Sequence, residues 1–187
     1  MQGFLQKCLA MKYITLCLFT ALAVASVACG RGRAKRIDTT PVAVFDLDRY
    51  LGNWYEIARY NHRFERGMQQ VRAEYILEAP GHIRVVNSGV DAEGKYREAI
   101  GKAHPGKYPG QLRVSFFWIF YADYNVLALD PAYRWALVGS NSPKYLWILS
   151  RTPTLPDTEL EEILRQAAAR GYDTTRLLYV SQDRNTD

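Results

Sequence analysis

GNWYEIARYNHRFERG, residues 52–67, opens on a glycine suited to stop a short helical turn and then alternates in steps of two. If Trp54 points into a core, the two-residue period of a strand sends Glu56, Ala58 and Tyr60 the same way, and Tyr55, Ile57 and Arg59 the other. A glutamate among aromatics is costly to bury unless a cation or a hydrogen bond compensates it. Glu56 therefore either forms an internal salt bridge or offers a polar contact to a ligand. The run ends on a cationic, aromatic loop, His62 to Gly67.

Outward from this stretch the same short period recurs. Alternating segments lie at Trp54–Tyr60, Val71–Leu77, Ile83–Ser88, Tyr96–Lys102, Leu112–Phe117, Asn125–Asp130, Trp135–Val138 and Tyr145–Ser150. The links APGH, DAEGK, HPGKYPG, DPAY and SNSPK carry the Gly, Pro, Asn and Asp that tight turns need. Eight short strands with short links predict an all-β fold, an eight-stranded antiparallel up-and-down barrel. FDLDRYLG before the first strand reads as one helical turn, capped by Asp46 and stopped by Gly52. A single late helix opens at Pro156 and Asp157, aligns Leu160, Ile163, Leu164 and Ala167 on one stripe, and closes at Gly171, which places it outside the barrel. RLLYV, residues 176–180, reads as a short extra strand.

The N-terminus has the pattern of an export signal: Lys7 and Lys12, then the apolar run Tyr13 to Val27, then Ala28 and Cys29. The run is short for a membrane span. Residues 1–28 are thus expected as a signal peptide, with 1–10 an upstream extension if Met11 is the start. Residues 29–44 follow as a linker and 45–187 as the barrel domain. Cys8, Cys17 and Cys29 are the only cysteines, so the mature domain can hold no internal disulfide. Removing residues 1–28 takes two lysines and no acids, which lowers the formal charge from +5 to +3. The basic run RGRAKR, residues 31–36, is confined to the tail, which argues against nucleic-acid binding and allows a weak attraction to anionic head groups.

Three ordered motifs then resemble one family. GNWYEIAR (52–59) is similar to the G-x-W motif of lipocalins, FYADYNVLALD (120–130) to their central motif, and LWILSRTP (146–153) to their third, arginine-bearing motif. HRFERG and SFF (115–117) resemble the bacterial outer-membrane branch, and the likeness spans residues 45 to about 182. The resemblance implies that Gly52, Trp54 and Arg151 are structural, with the Trp54 ring stacked on Arg151 at the closed end of the barrel. It also implies that the SVAC sequence is a lipobox whose Cys29 is acylated and anchors the protein to the outer membrane. Ser26 departs from that motif's leucine, so cleavage by an ordinary signal peptidase to a soluble periplasmic product is the alternative.

For the cavity wall the parity of each segment nominates Tyr121 and Trp147 first, then Tyr60, Phe64, Tyr75 and Phe116, with Glu56 as the polar contact. Tyr121 is placed at a Phe-Tyr-Ala-Asp-Tyr turn near the mouth. The expected ligand is a fatty acid or a lysophospholipid, and the expected role is its binding, storage or transport at the cell envelope. A structural lipoprotein with a filled barrel is the alternative, and a lipid-converting enzyme a third. Against the enzyme stand the scattered His62, His82 and His104, which lack metal-ligand spacing, and the absence of a G-x-S-x-G elbow. No cofactor and no metal are expected, and the sequence does not specify an oligomeric state.

Overall fold

The computed structural model describes residues 36–183; the segment expected as a signal peptide and Cys29 lie outside the described residues. Asp46 caps the single turn α1 (Leu47–Tyr50) by accepting the Arg49 N–H, and the chain then enters β1 (Gly52–Tyr60). There follow β2 (Gln69–Ala79), β3 (His82–Val90), β4 (Tyr96–Pro105), β5 (Gln111–Phe117), β6 (Phe120–Leu129), β7 (Trp135–Gly139) and β8 (Leu146–Ser150). Each strand pairs antiparallel with the next, and β1 pairs with both β8 and β2, so the sheet closes into an eight-stranded barrel. Closure removes the open edges that an isolated sheet would expose. Helix α2 (Asp157–Ala169) lies against the outside, and β9 (Leu177–Tyr179) adds to β1.

Two cores result. The inner one joins Tyr50, Trp54, Tyr75, Ile83, Val85, Leu112, Val126, Ala136, Val138 and Leu149 inside the barrel. The outer one sandwiches Ile57, Tyr60, Leu127, Trp135, Leu137, Leu146 and Ile148 between the wall and Ile163 and Ala167 of α2. Strands β7 and β8 are covered on both faces, which is why they read as unbroken apolar runs. Residues 37–44, read as linker, run along the wall. Asp38 exchanges bonds with Arg170, and the Val42 N–H donates to Val126 O at 2.9 Å.

Two irregularities decide which side chains face inward. A β-bulge between Glu56 and Ala58 inserts one residue opposite β8, and the inserted residue reverses the alternation beyond it. Arg59 therefore turns in and Tyr60 turns out, opposite to the sequence expectation. Strand β6 begins at Phe120, not Asn125, because the β5–β6 link is only Trp118-Ile119 and the FYADY segment is strand. That sets Tyr124 inward and Tyr121 outward.

Candidate functional site

At the closed end the barrel is plugged. Trp54 is fully buried, and its Nε1–H donates to Tyr50 O at 2.8 Å. The Arg151 guanidinium lies 3.8 Å from the Trp54 ring centroid. The same group donates to Asn53 O and Arg49 O, both at 2.7 Å, and so staples β8 to the α1–β1 corner. Gly52 sits in that corner at φ +88, where a β-carbon would be strained.

Above this floor three tyrosine hydroxyls meet. Tyr50 and Tyr124 oxygens are 2.6 Å apart, and Tyr75 donates to Tyr124 at 2.9 Å. Burial pushes all three phenols above their ordinary values, so they remain neutral donors and acceptors. Tyr50 and Tyr124 were missed in the sequence. Tyr50 lies in the helical turn before the first strand, and Tyr124 was passed over for Tyr121, three residues away on the other face.

At the mouth a second polar cluster forms on β1 and the loop after it. Arg59 Nη1 donates to Glu56 Oε1 at 2.5 Å, while Nη2 donates to two loop carbonyls, Glu65 O at 2.5 Å and Met68 O at 3.0 Å. Glu65 Oε2 accepts from Trp147 Nε1 at 3.3 Å and lies 3.1 Å from His62 Nε2. The β1–β2 loop is thus fastened over the mouth through one buried arginine. Burial, then the nearby Glu65 charge, drives the Glu56 carboxyl well above its ordinary value, in spite of Arg59. Burial also pushes Glu65 up, but the His62 imidazole, the Trp147 N–H and the Arg59 charge outweigh it and hold that carboxyl low. Arg59 was the unrecognised partner. A buried carboxylate needs a cation, and the nearest in sequence is three residues on, a spacing that shares a strand face only across a bulge.

Of the sequence-nominated wall residues, Glu56, Tyr75, Phe116 and Trp147 face the interior. Phe116 crosses so close to β4 that a β-carbon on Gly101 would stand 2.8 Å from its ring. Phe64 stands exposed on the mouth loop. Tyr60 and Tyr121 are corrected. Tyr60 lies in the outer core, where its hydroxyl donates to Asp173 O at 2.9 Å and Arg176 covers its ring. Tyr121 packs outside the wall against His104, ring centroids 4.9 Å apart, and under Lys102. Asn87 is an addition: it shares the parity of Ile83 and Val85, sits between Ala73 and Ala99 in the ladder, and its Oδ1 is buried without a partner. Among the described residues no group of three or more His, Cys, Asp or Glu side chains could hold a metal ion.

The wall is incomplete near the mouth. Strands β4 and β5 pair only from Lys102↔Ser115 to Pro105↔Leu112, so Tyr96 to Gly101 ladder with β3 alone. The first five of these residues are exposed on both faces.

Comparison with known proteins agrees with this architecture. Residues 45–182 match the family of the lipocalin-like domain. Outer membrane lipoprotein Blc of Escherichia coli (strain K12) is 43% identical over 175 residues, covering 92% of this chain and 98% of that one. The Vibrio cholerae protein of the same name is 47% identical over 146 residues, 76% of this chain and 85% of that one. Among solved structures, insecticyanin of the tobacco hornworm Manduca sexta superposes with a TM-score of 0.66 at 21% identity, over 80% of this chain and 86% of that one. Lipocalins are binding proteins for hydrophobic ligands, not enzymes, and with its motifs, its closed barrel and its outer helix this chain belongs to the lipocalin family.

Proposed function

We propose that the barrel binds a single-chain lipid, a fatty acid or a lysophospholipid, with its tail inside and its head group at the mouth. The observation that carries this reading is that the inner acids already have partners within the protein. Glu56 is taken by Arg59, Glu65 by Arg59, His62 and Trp147, and the tyrosines by one another. Among the described residues no inner carboxyl is left without a partner, although Arg59 Nε and His62 Nδ1 are buried without a hydrogen bond, and Tyr75, Val114, Phe116 and Trp147 offer apolar surface. Arg63 and Arg66 are exposed beside the mouth and suit an anionic carboxylate or phosphate. The Asn87 amide is placed to take one hydroxyl or ester oxygen. The relatives named outer membrane lipoproteins support anchoring of this chain at the outer membrane through acylated Cys29, since two or three acyl chains hold a protein firmly where one does not.

Each methylene moved from water into the barrel contributes about 0.8 kcal/mol. Affinity for fatty acids, read by tryptophan quenching, should therefore rise with chain length and weaken in Trp147→Ala. Native mass spectrometry of protein from its host should show retained lipid. Flat affinity along the series would establish the filled barrel instead. Labelled palmitate should enter the wild type and not Cys29→Ser; equal labelling of both would remove the anchor.

A further inference from the structure

The link between β5 and β6 has only two residues, Trp118 and Ile119. Such tight turns normally take Asn, Asp or Gly, which tolerate positive φ and leave a polar tip. Here Trp118 occupies φ +48, a conformation unfavourable for a bulky side chain. The tip Phe117-Trp118-Ile119-Phe120 stands in solvent with exposures of 68%, 85%, 68% and 75%. Contiguous apolar surface of this kind marks a place of interaction.

We propose that this hairpin tip inserts into a lipid bilayer, so that the mouth faces the membrane and the gap between β4 and β5 admits a tail from the side. Three observations favour a lipid surface over another occupant. The tip is a narrow projection that ends in an indole, the side chain most at home between head groups and acyl chains, and it lacks the breadth of a flat protein interface. Exposed cations at mouth-side turns, Arg63, Arg66, Lys95 and Lys144, outnumber the exposed acids at that end that lack an ion pair, Glu93 and Asp183, since Asp91 is already paired with Arg97, which suits anionic head groups. The tether to the anchor is also short. Asn125 Nδ2 donates to both Thr39 O and Asn141 Oδ1, and Thr39 shares a recess with Asn141 of the β7–β8 turn and with Tyr108 and Pro109 of the β4–β5 turn. Ten residues separate Cys29 from Thr39, a reach of at most about 36 Å, so an anchor at Cys29 would keep the barrel close to its own membrane. At the gap, Phe116 on β5 lies against Gly101 on the inner side, and Tyr96 and Ile100 on the part of β4 not paired with β5 are exposed on the outer side. The side-entry part of the proposal rests on the barrel taking a lipid; the insertion does not.

The test uses the full chain purified from its host and reconstituted in vesicles of phosphatidylethanolamine and phosphatidylglycerol with brominated acyl chains. Bromine should quench Trp118 strongly, and Trp118→Phe, which keeps an apolar ring, should lose most of that quenching. Trp54 and Trp135 are buried away from the tip, and quenching that persists in Trp118→Phe reports a brominated lipid beside Trp147 inside the barrel. Persistence of the full effect would therefore overturn insertion while leaving ligand binding intact. A Trp118→Asp, Ile119→Asp double variant alters only exposed turn positions, and unchanged melting will show that it folds. It should take up a fluorescent fatty acid from vesicles about tenfold more slowly, with its affinity in solution unchanged. Equal uptake rates would sink the proposal. So would a wild type that shows no Trp118 quenching and sediments as a dimer that the double variant splits, since the patch would then join two copies.

Discussion

The two ends of the barrel use the same chemistry for opposite purposes. At the closed end Arg151 grips the carbonyls of Arg49 and Asn53 beneath an indole, and at the mouth Arg59 grips the carbonyls of Glu65 and Met68 beside another. What differs is the company each cation keeps. Arg151 meets neutral groups fixed by a helical turn and a strand. Arg59, on β1, is surrounded by Glu56 of the same strand and by Glu65 of the following loop, with His62 behind them. The first arrangement is a staple whose strength varies little with pH. The second is a latch that depends on proton occupancy.

The largest expected effect tests the staple. Trp54→Ala empties a fully buried site and should cost about 3–5 kcal/mol, which for a chain of this size lowers the melting temperature by roughly 10 °C. Arg151→Ala should cost less, about 1–2 kcal/mol, because its guanidinium is half exposed and part of the loss is a cation–π contact. Fatty-acid affinity per folded molecule should not change in either variant. A normal melting curve with lost binding would place this pair in the ligand site.

Next comes the latch. Arg59→Met strands Glu56 and Glu65 without their cation and should destabilise by about 3 kcal/mol, at the low end for a broken buried pair because the loop can open to water. The pH dependence separates the two carboxyls. Glu56 has its folded value raised, so between the ordinary 4.5 and that raised value the folded chain holds a proton that the unfolded chain has lost. Stability from this group is complete below 4.5 and declines as pH rises. Glu65 has its folded value lowered, so its contribution is complete above 4.5 and is lost as pH falls through the lowered value. Glu56→Gln should flatten the decline between pH 5 and 8, whereas Glu65→Gln should destabilise across that range. Identical melting curves for wild type and Glu56→Gln at pH 8 would show that the Glu56 charge is not held against its environment.

How much of this was legible in the sequence follows the same division. The strands, the turn capped by Asp46 and the outer helix rest on local periods and turn residues, whereas the Trp54–Arg151 pairing came only from the resemblance to lipocalins. The mouth was less legible because its geometry depends on an insertion that periodicity cannot register. One bulge after Glu56 exchanges Arg59 and Tyr60, and one overlong turn assignment exchanges Tyr121 and Tyr124. The contact of residues 37–44 with the wall was hidden for another reason: Thr39 and Val42 are held by backbone bonds, which no side-chain pattern announces.

The smallest expected effect is therefore the sharpest test of parity. Tyr121 lies on the outer wall between His104 and Lys102, and its ring touches nothing in the inner core. Tyr121→Ala removes partly exposed packing and should change stability by about 0.5 kcal/mol or less, with lipid affinity unchanged. Tyr124→Phe alters the interior instead. It deletes the hydroxyl that links Tyr50 to Tyr75 and leaves two buried phenols without their shared partner, a loss of about 1–3 kcal/mol. Melting curves and fatty-acid titrations of the two variants, run side by side, read the difference directly. If Tyr121→Ala weakens binding and Tyr124→Phe is silent in both measurements, the register of β6 is wrong by one residue, and every inward assignment on that strand must be exchanged with its neighbour.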